Sequence, residues 1–332
     1  MERSVVLAAP GPLDARTGGY IYNARIADGL RDHGWRVELL ELDASQTFAD
    51  VPTGTIVIAD SLALDTMADV IERESSRLRI VALMHQPRGT TAECRALRAA
   101  SLIVVTGTAA LPLIERCGVP AGRVVVVEPG TDRPPLPSPR QATPGATTEL
   151  LTVATLNAGK GHETLLRALA SLREAAWRLT CAGSLTREPT TAERVRATAA
   201  SLRIADRVTF AGELDATALA GCYGRADVFV LATRHETYGM AVAEALAHGL
   251  PVVATTTGAI PALVGNEAGL LVPVDDDAAL GAALARVIGD APLRQRLAEG
   301  ARRRREALPT WADAARRLAD ALQAVRVASA RG

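Results

Sequence analysis

Short apolar runs alternate with longer amphipathic stretches along the whole chain. Val5–Ala9, Val37–Leu42, Thr55–Ala59, Ile80–Met84, Leu102–Thr106 and Val124–Val127 are strand-like runs, most of them continuous in hydrophobicity. That pattern predicts strands buried on both faces. Between them, Tyr20–Asp32, Leu64–Glu74, Thr91–Ala99 and Ala109–Arg116 repeat apolar positions at helical spacing. The alternation stops where six prolines fall between positions 129 and 144. It resumes with strands expected at Leu150–Ala154, Leu179–Ala182, Val208–Ala211, Val228–Leu231, Val252–Ala254 and Leu270–Val272. Ala/Leu/Arg helices over Ala278–Ile288, Leu293–Glu306 and Trp311–Val325 close it.

Strands and helices in strict alternation predict an α/β protein with parallel sheets. The proline-rich break divides it into two facing Rossmann-like domains, 1–130 and 149–310, with a linker at 131–148. A terminal helix, 311–332, packs back toward the first domain. Such a pair should hold its ligand in a cleft between the domains, at the carboxyl ends of the strands. A length of 332 residues suits two domains of about 150 each.

Equal numbers of acidic and basic residues, 37 each, leave no net field to attract nucleic acid or anionic lipid. No apolar run approaches the ~20 residues of a membrane span, so no integral membrane segment is expected. The first residues lack the charged and apolar regions of a secretion signal, and Val5–Ala9 reads better as a strand. Cys94, Cys117, Cys181 and Cys222 show no metal or redox spacing. Reduced thiols in a cytoplasmic protein are therefore expected.

One compositional detail carries chemistry. Lysine occurs once, at Lys160, against 36 arginines. It lies between Gly159 and Gly161, just before an expected helix, where a compact ammonium can meet phosphate. The surroundings do not form a P-loop, because position 154 is Ala and position 161 is Gly. A second cluster runs from Arg234 to Val264. Glu236 stands in a loop after the run Val228–Leu231, and Glu244 lies in the helix that follows. Eight helical positions would turn them about 80° apart, so they reach different groups of one extended ligand. Gly239 allows close backbone approach, and the free N–H groups around Gly239, Met240 and Ala241 form an anion site.

These residues resemble the donor-binding motif of family-4 (group 1) retaining glycosyltransferases, whose GT-B fold pairs two Rossmann-like domains. The resemblance implies a transferase that moves a sugar from a UDP- or GDP-sugar to a small-molecule or glycan acceptor, with no cofactor and no metal. It assigns the ribose hydroxyls to Glu244 and the donor sugar to Glu236. Thr237, Tyr238 and the Gly239–Ala241 backbone border the donor, and Lys160 meets its diphosphate. The family has Arg-x4-Lys in the lysine segment; Thr155 replaces that Arg, and Asn157 or Arg234 is expected to compensate. Gly183 and Leu214, in Cys181-Ala182-Gly183-Ser184 and Phe210-Ala211-Gly212-Glu213-Leu214, end strands that border the base. Thr17-Gly18-Gly19-Tyr20 matches the family's glycine loop, placing Gly18 and Gly19 over the diphosphate and Tyr20 beside the acceptor. His85-Gln86 occupies the strand end where the family has a histidine near the transferring sugar. Lys160, Glu236 and His85 are thus the expected catalytic residues.

Three other features have plainer readings. Asp275–Asp277 contains a DxD but precedes a helix, so capping suffices. Arg302–Arg305 reads as a solvated helix face. His33, His85, His162, His235 and His248 lack metal-ligand spacing. Rival functions are a sugar-nucleotide epimerase or hydrolase and a catalytically weak sugar-nucleotide-binding protein, the latter favoured by Thr155.

Overall fold

The computed structural model describes residues 3–42, 48–136 and 146–328. Part of the expected linker, residues 137–145, lies outside them. The chain divides into two compact units, Met1–Gly130 with Pro309–Gly332, and Thr131–Leu308.

Unit 1 runs β1 (Ser4–Pro10), α1 (Gly18–Asp32), β2 (Arg36–Leu42), β3 (Ile56–Asp60), α2 (Ser61–Leu64), α3 (Ala68–Glu74), β4 (Arg79–Met84), α4 (Thr91–Ala99), β5 (Leu102–Val105), α5 (Leu111–Arg116) and β6 (Val124–Val126). The six strands form one sheet in the order β2-β1-β3-β4-β5-β6, and every pairing is parallel. Chain order reverses between β1 and β3, so the loops after these strands diverge and leave a crevice.

Unit 2 runs β7 (Thr148–Val153), α6 (His162–Ala170), β8 (Trp177–Ala182), α7 (Pro189–Ser201), β9 (Val208–Gly212), α8 (Ala216–Arg225), β10 (Val228–Leu231), α9 (Met240–Ala247), β11 (Val252–Thr255), α10 (Ile260–Val264), β12 (Gly269–Val272), α11 (Asp277–Gly289) and α12 (Ala291–Ala307). Its sheet, β12-β11-β10-β7-β8-β9, is also wholly parallel. The reversal here lies between β7 and β10.

A last helix, α13 (Trp311–Ala328), belongs to unit 1, with Ala314, Ala315, Leu318 and Leu322 buried in the core formed by β1, α1 and β4. The central strands are almost wholly apolar because helices cover both faces: β3, β10 and β11 are buried at every residue, whereas the edge strand β2 carries exposed glutamates. Each fully buried Val, Leu or Ile contributes about 1.5–3 kcal/mol.

The periodicity misplaced a few elements. One helix expected over Leu64–Glu74 is two, α2 and α3. Asp65, at the break, accepts hydrogen bonds from Arg88 and Thr90, and the Thr66 hydroxyl donates to Ala63 O. Such side-chain bonds compete with the helical ladder. Helices α7, α8 and α10 were not foreseen; α7 is largely polar and α10 is only five residues long. Arg304 and Arg305 are not a solvated face. Arg304 donates to Leu263 O and Ala262 O, and Arg305, 9% exposed, donates to Ala247 O at the end of α9. Guanidinium groups here satisfy helix-terminal carbonyls. The cysteines also depart from expectation. Cys94 in α4 and Cys117 after α5 are disulfide-bonded, their Cα atoms 4.9 Å apart, while Cys181 and Cys222 are free. Packing brings together two positions 23 residues apart, which no spacing motif could reveal.

Candidate functional site

The switch point of unit 2 gathers the expected donor residues. After β7 the chain makes a short turn through Ala158–Lys160, and after β10 it enters the loop 232–239. Arg234 N donates to Gly159 O across the two loops at 2.8 Å, and the Thr233 hydroxyl bonds the same segment. These ties bring Lys160 Nζ to 2.8 Å from Glu236 Oε2. Both side chains are partly open to solvent, at 27% and 18%. The cation and the carboxylate are therefore paired yet reachable.

Two glycines shape this loop. Gly239 has φ +101° and caps the N-terminus of α9, a conformation that costs a residue with a Cβ. Gly258, at φ +55°, lies so close to the Glu236 backbone that a Cβ would stand 1.5 Å from Glu236 O. The loop after β11 thus backs the loop after β10.

Glu244 lies one turn into α9. Its Oε2 accepts from the Tyr223 hydroxyl at 2.9 Å, and the Tyr223 ring stacks on His248 at 4.7 Å. Burial and the neighbouring Glu244 charge push the Tyr223 phenol well above its usual value, so it remains a hydrogen-bond donor. The arrangement steers one carboxylate oxygen of Glu244. For a nucleotide sugar held by Glu244, as the resemblance implies, replacing Tyr223 by Phe should weaken affinity about tenfold, since a hydrogen bond to a charged group is worth about 1.5–3 kcal/mol. Isothermal titration with a nucleoside diphosphate sugar reads that loss; unchanged affinity would remove Tyr223 from the site.

Residues 138–304 match the model of the family described as Glycosyl transferases group 1. The chain belongs to the group 1 glycosyltransferases.

Two likenesses extend the family assignment to the fold. A sucrose-phosphate synthase from Thermosynechococcus elongatus superposes with a TM-score of 0.82 over 98% of this chain and 100% of its own, at 20% identity. The HepE protein of Anabaena, in complex with UDP-glucose, gives 0.78 over 97% and 99%, at 17% identity. Two α/β units with six-stranded parallel sheets are the GT-B fold. Among curated relatives, the D-inositol 3-phosphate glycosyltransferase of Xylanimonas cellulosilytica is 32% identical over 216 residues, 61% of this chain and 52% of that protein. The chain spans about half the length of the curated relatives it matches.

The remaining expected residues are placed as follows. Gly183 abuts the end of β7: a Cβ there would meet Ala154 O at 2.1 Å. Leu214, half-buried, follows β9. Thr237 is half-buried and Tyr238 buried. In unit 1, Gly18 and Gly19 open α1, Tyr20 is buried with its hydroxyl on Pro10 O, and Gln86 is exposed. His85 follows β4 and meets Asp60 and Asn23. Arg234 does not fill the place left by Thr155. Its guanidinium bonds Asp275 and Ala158 O instead. Asp276 caps α11 through Ala279 N, and Asp277 pairs with Arg167, so the acidic triplet works structurally.

Sequence reasoning missed Tyr223, Gly258, Asp60 and Asn23. Tyr223 had one available signal, being one of only four tyrosines in an aromatic-poor chain. Asp60 had another, as the single charge ending the apolar run Ile56–Ala59.

His162, the first residue of α6, is 4% exposed, and neither ring nitrogen finds a partner among the described residues. Burial, reinforced by Lys160's charge, pushes it down from 6.5 to about 4. The folded state therefore holds it neutral while the unfolded chain protonates it at its ordinary value. Its stabilising contribution is complete above about pH 6.5 and is lost as pH falls toward 4. His162→Gln should reduce the stability difference between pH 7 and pH 4.5 by about 2 kcal/mol, as read by urea unfolding at both pH values. An unaltered difference would show that His162 is not held neutral.

Proposed function

We propose that this group 1 family member is a retaining family-4 glycosyltransferase that takes its sugar from a UDP- or GDP-sugar and works without a metal ion. The observation that carries the reading is the Lys160–Glu236 pair beside the N-terminus of α9. Free N–H groups and the positive end of a helix favour a diphosphate, and an ammonium adds the charge that a metal would otherwise supply. Glu236 then holds hydroxyls of the donor sugar, and Glu244, steered by Tyr223, holds those of the ribose.

As the bond to the anomeric carbon breaks, negative charge grows on the leaving diphosphate. Lys160 and the Gly239–Ala241 backbone meet that charge more strongly in the transition state than in the ground state, which is what lowers a barrier. The acceptor hydroxyl attacks from the same face, and its proton passes to the departing phosphate oxygen. Retention follows without a protein nucleophile. His85, Gln86 and Tyr20 are assigned to the acceptor side. The HepE complex supports trying UDP-glucose first, and the inositol phosphate relative supports a small polar acceptor.

The test is transfer from UDP- and GDP-sugars to a panel of polyol and glycan acceptors in the presence of chelator, with the product anomer assigned by proton NMR. An α-linked product from an α-linked donor, formed with chelator present, is the expected result. A β-linked product, or dependence on added metal, would overturn the respective part. A second reading, a sugar-nucleotide-binding protein with little turnover, is favoured by Thr155 and by the commitment of Arg234 to Asp275. Tight donor binding with no transfer across the panel would support it.

A further inference from the structure

Unit 1 contains a buried polar chain at its own switch point. Asp60, the last residue of β3, is 1% exposed, and Asn23, on α1, is 5% exposed. Both carboxylate oxygens of Asp60 are engaged. Oδ1 accepts from Leu62 N at 2.8 Å, and Oδ2 accepts from Asn23 Nδ2 at 2.6 Å. His85 Nε2 lies 3.0 Å from Asn23 Oδ1 and 3.3 Å from Asp60 Oδ2. An ionised carboxylate so deeply buried persists only with hydrogen bonds and a partner. Burial raises the Asp60 carboxyl, but the hydrogen bonds from His85, Leu62 and Asn23 outweigh it and bring the group below its usual range.

The directions of these bonds decide the state of the imidazole. Asn23 spends its amide donor on Asp60, so it offers His85 an oxygen. Asp60 offers a second oxygen. Two acceptors facing one nitrogen require Nε2 to carry the hydrogen, so the neutral form of the ring has its lone pair on Nδ1. No hydrogen bond reaches Nδ1 among the described residues, and the side chain is 14% exposed. The ring is also held edgewise by Tyr22, with centroids 5.2 Å apart. The face of the glycine loop completes the cage: a Cβ on Gly19 would stand 3.1 Å from His85 Cδ2.

We propose that Asp60 and Asn23 are positioning residues that fix His85 as the Nε2–H tautomer, so that its Nδ1 accepts a hydrogen bond from a substrate hydroxyl. The role rests on the transferase reading given above. The hydroxyl is a non-reacting one: through Nδ1 it orients its substrate, while the attacking hydroxyl gives its own proton to the leaving phosphate. The hydroxyl belongs either to the donor sugar or to the acceptor, and KM for each substrate separates them.

Asp60→Asn is the informative change because it inverts the chain. Leu62 N still needs an acceptor, so the new amide oxygen stays there and its NH2 group takes the place of Oδ2. Asn23 must then flip, offering its oxygen to residue 60 and its NH2 group to His85. Nε2 becomes an acceptor, and the hydrogen moves to Nδ1. The wrong tautomer presents a donor where the substrate needs an acceptor, as when the aspartate of a serine-protease triad is changed to asparagine.

The experiment uses the full chain, labelled with 15N-histidine, in wild-type and Asp60→Asn forms. The 15N shifts of the imidazole should place the proton of neutral His85 on Nε2 in the wild type and on Nδ1 in the variant. Transfer should fall at least 100-fold in kcat in the variant. A higher KM for the donor alone would place the hydroxyl on the sugar, and for the acceptor alone on the acceptor. A wild-type proton on Nδ1, or an unchanged kcat in a variant whose tautomer has switched, would overturn the proposal. Absence of transfer by the wild type with any donor would instead overturn the transferase reading and, with it, the substrate role given to His85. The tautomer assignment would survive that outcome, so the two failures are distinguishable.

Discussion

Lys160→Ala should lower kcat about 10²–10³-fold, the loss seen when one preorganised donor to a developing oxyanion is removed. The expectation follows from position. Lys160 ends the turn after β7, and its ammonium bonds Glu236 Oε2 at 2.8 Å beside the N-terminus of α9. With Thr155 where the family carries an arginine, and Arg234 tied to Asp275, the proposed diphosphate site draws its side-chain cation from Lys160. A chain with 36 arginines has nevertheless kept a lysine here. Lys160→Arg should therefore restore little, because a planar fork does not replace a compact ammonium packed against a carboxylate. Steady-state kinetics of both variants check this. A Lys160→Ala enzyme within threefold of wild type would remove Lys160 from the transition state.

Glu236→Gln should cost about 100-fold in kcat/KM, or about 3 kcal/mol, with only a small change in stability. The substitution keeps size and removes charge. In the proposed donor site it weakens charge-assisted hydrogen bonds to the sugar, each worth about 1.5–3 kcal/mol, and it also leaves Lys160 without its charged partner. Because the two side chains touch, their effects should not add. The double variant should lose much less than the product of the single losses. Strict multiplication of the two would show that they act in separate sites.

Much of this was legible in the order of residues. Short apolar runs between period-3.6 stretches, read with length and breaker residues, located every strand of both sheets, because most of these strands are covered on both faces and so largely apolar. Lys160 and Glu236 stood out because an isolated ammonium or carboxylate near a glycine turn is conspicuous against an Ala/Leu/Arg background, and the fold pairs them at 2.8 Å. What escaped depends on tertiary packing. Tyr223 acts on Glu244 from a helix 21 positions away, and Asn23 reaches Asp60 across 37. Arg305 reads in the sequence as part of a charged surface run, but its guanidinium satisfies the Ala247 carbonyl at the end of α9. The pairing of Cys94 in α4 with Cys117 after α5 is the same kind of fact, created by tertiary packing.

The central claim is that the Lys160–Glu236 loop of unit 2 binds the diphosphate sugar. A thermal-shift titration of UDP- and GDP-sugars into wild-type, Lys160→Ala and Glu236→Gln proteins tests it most directly. A nucleotide sugar at 100 times its dissociation constant should stabilise the wild type by about 2.7 kcal/mol, and each variant should lose most of that gain at the same concentration. No shift with any nucleotide sugar, or an equal shift in all three proteins, would contradict the account.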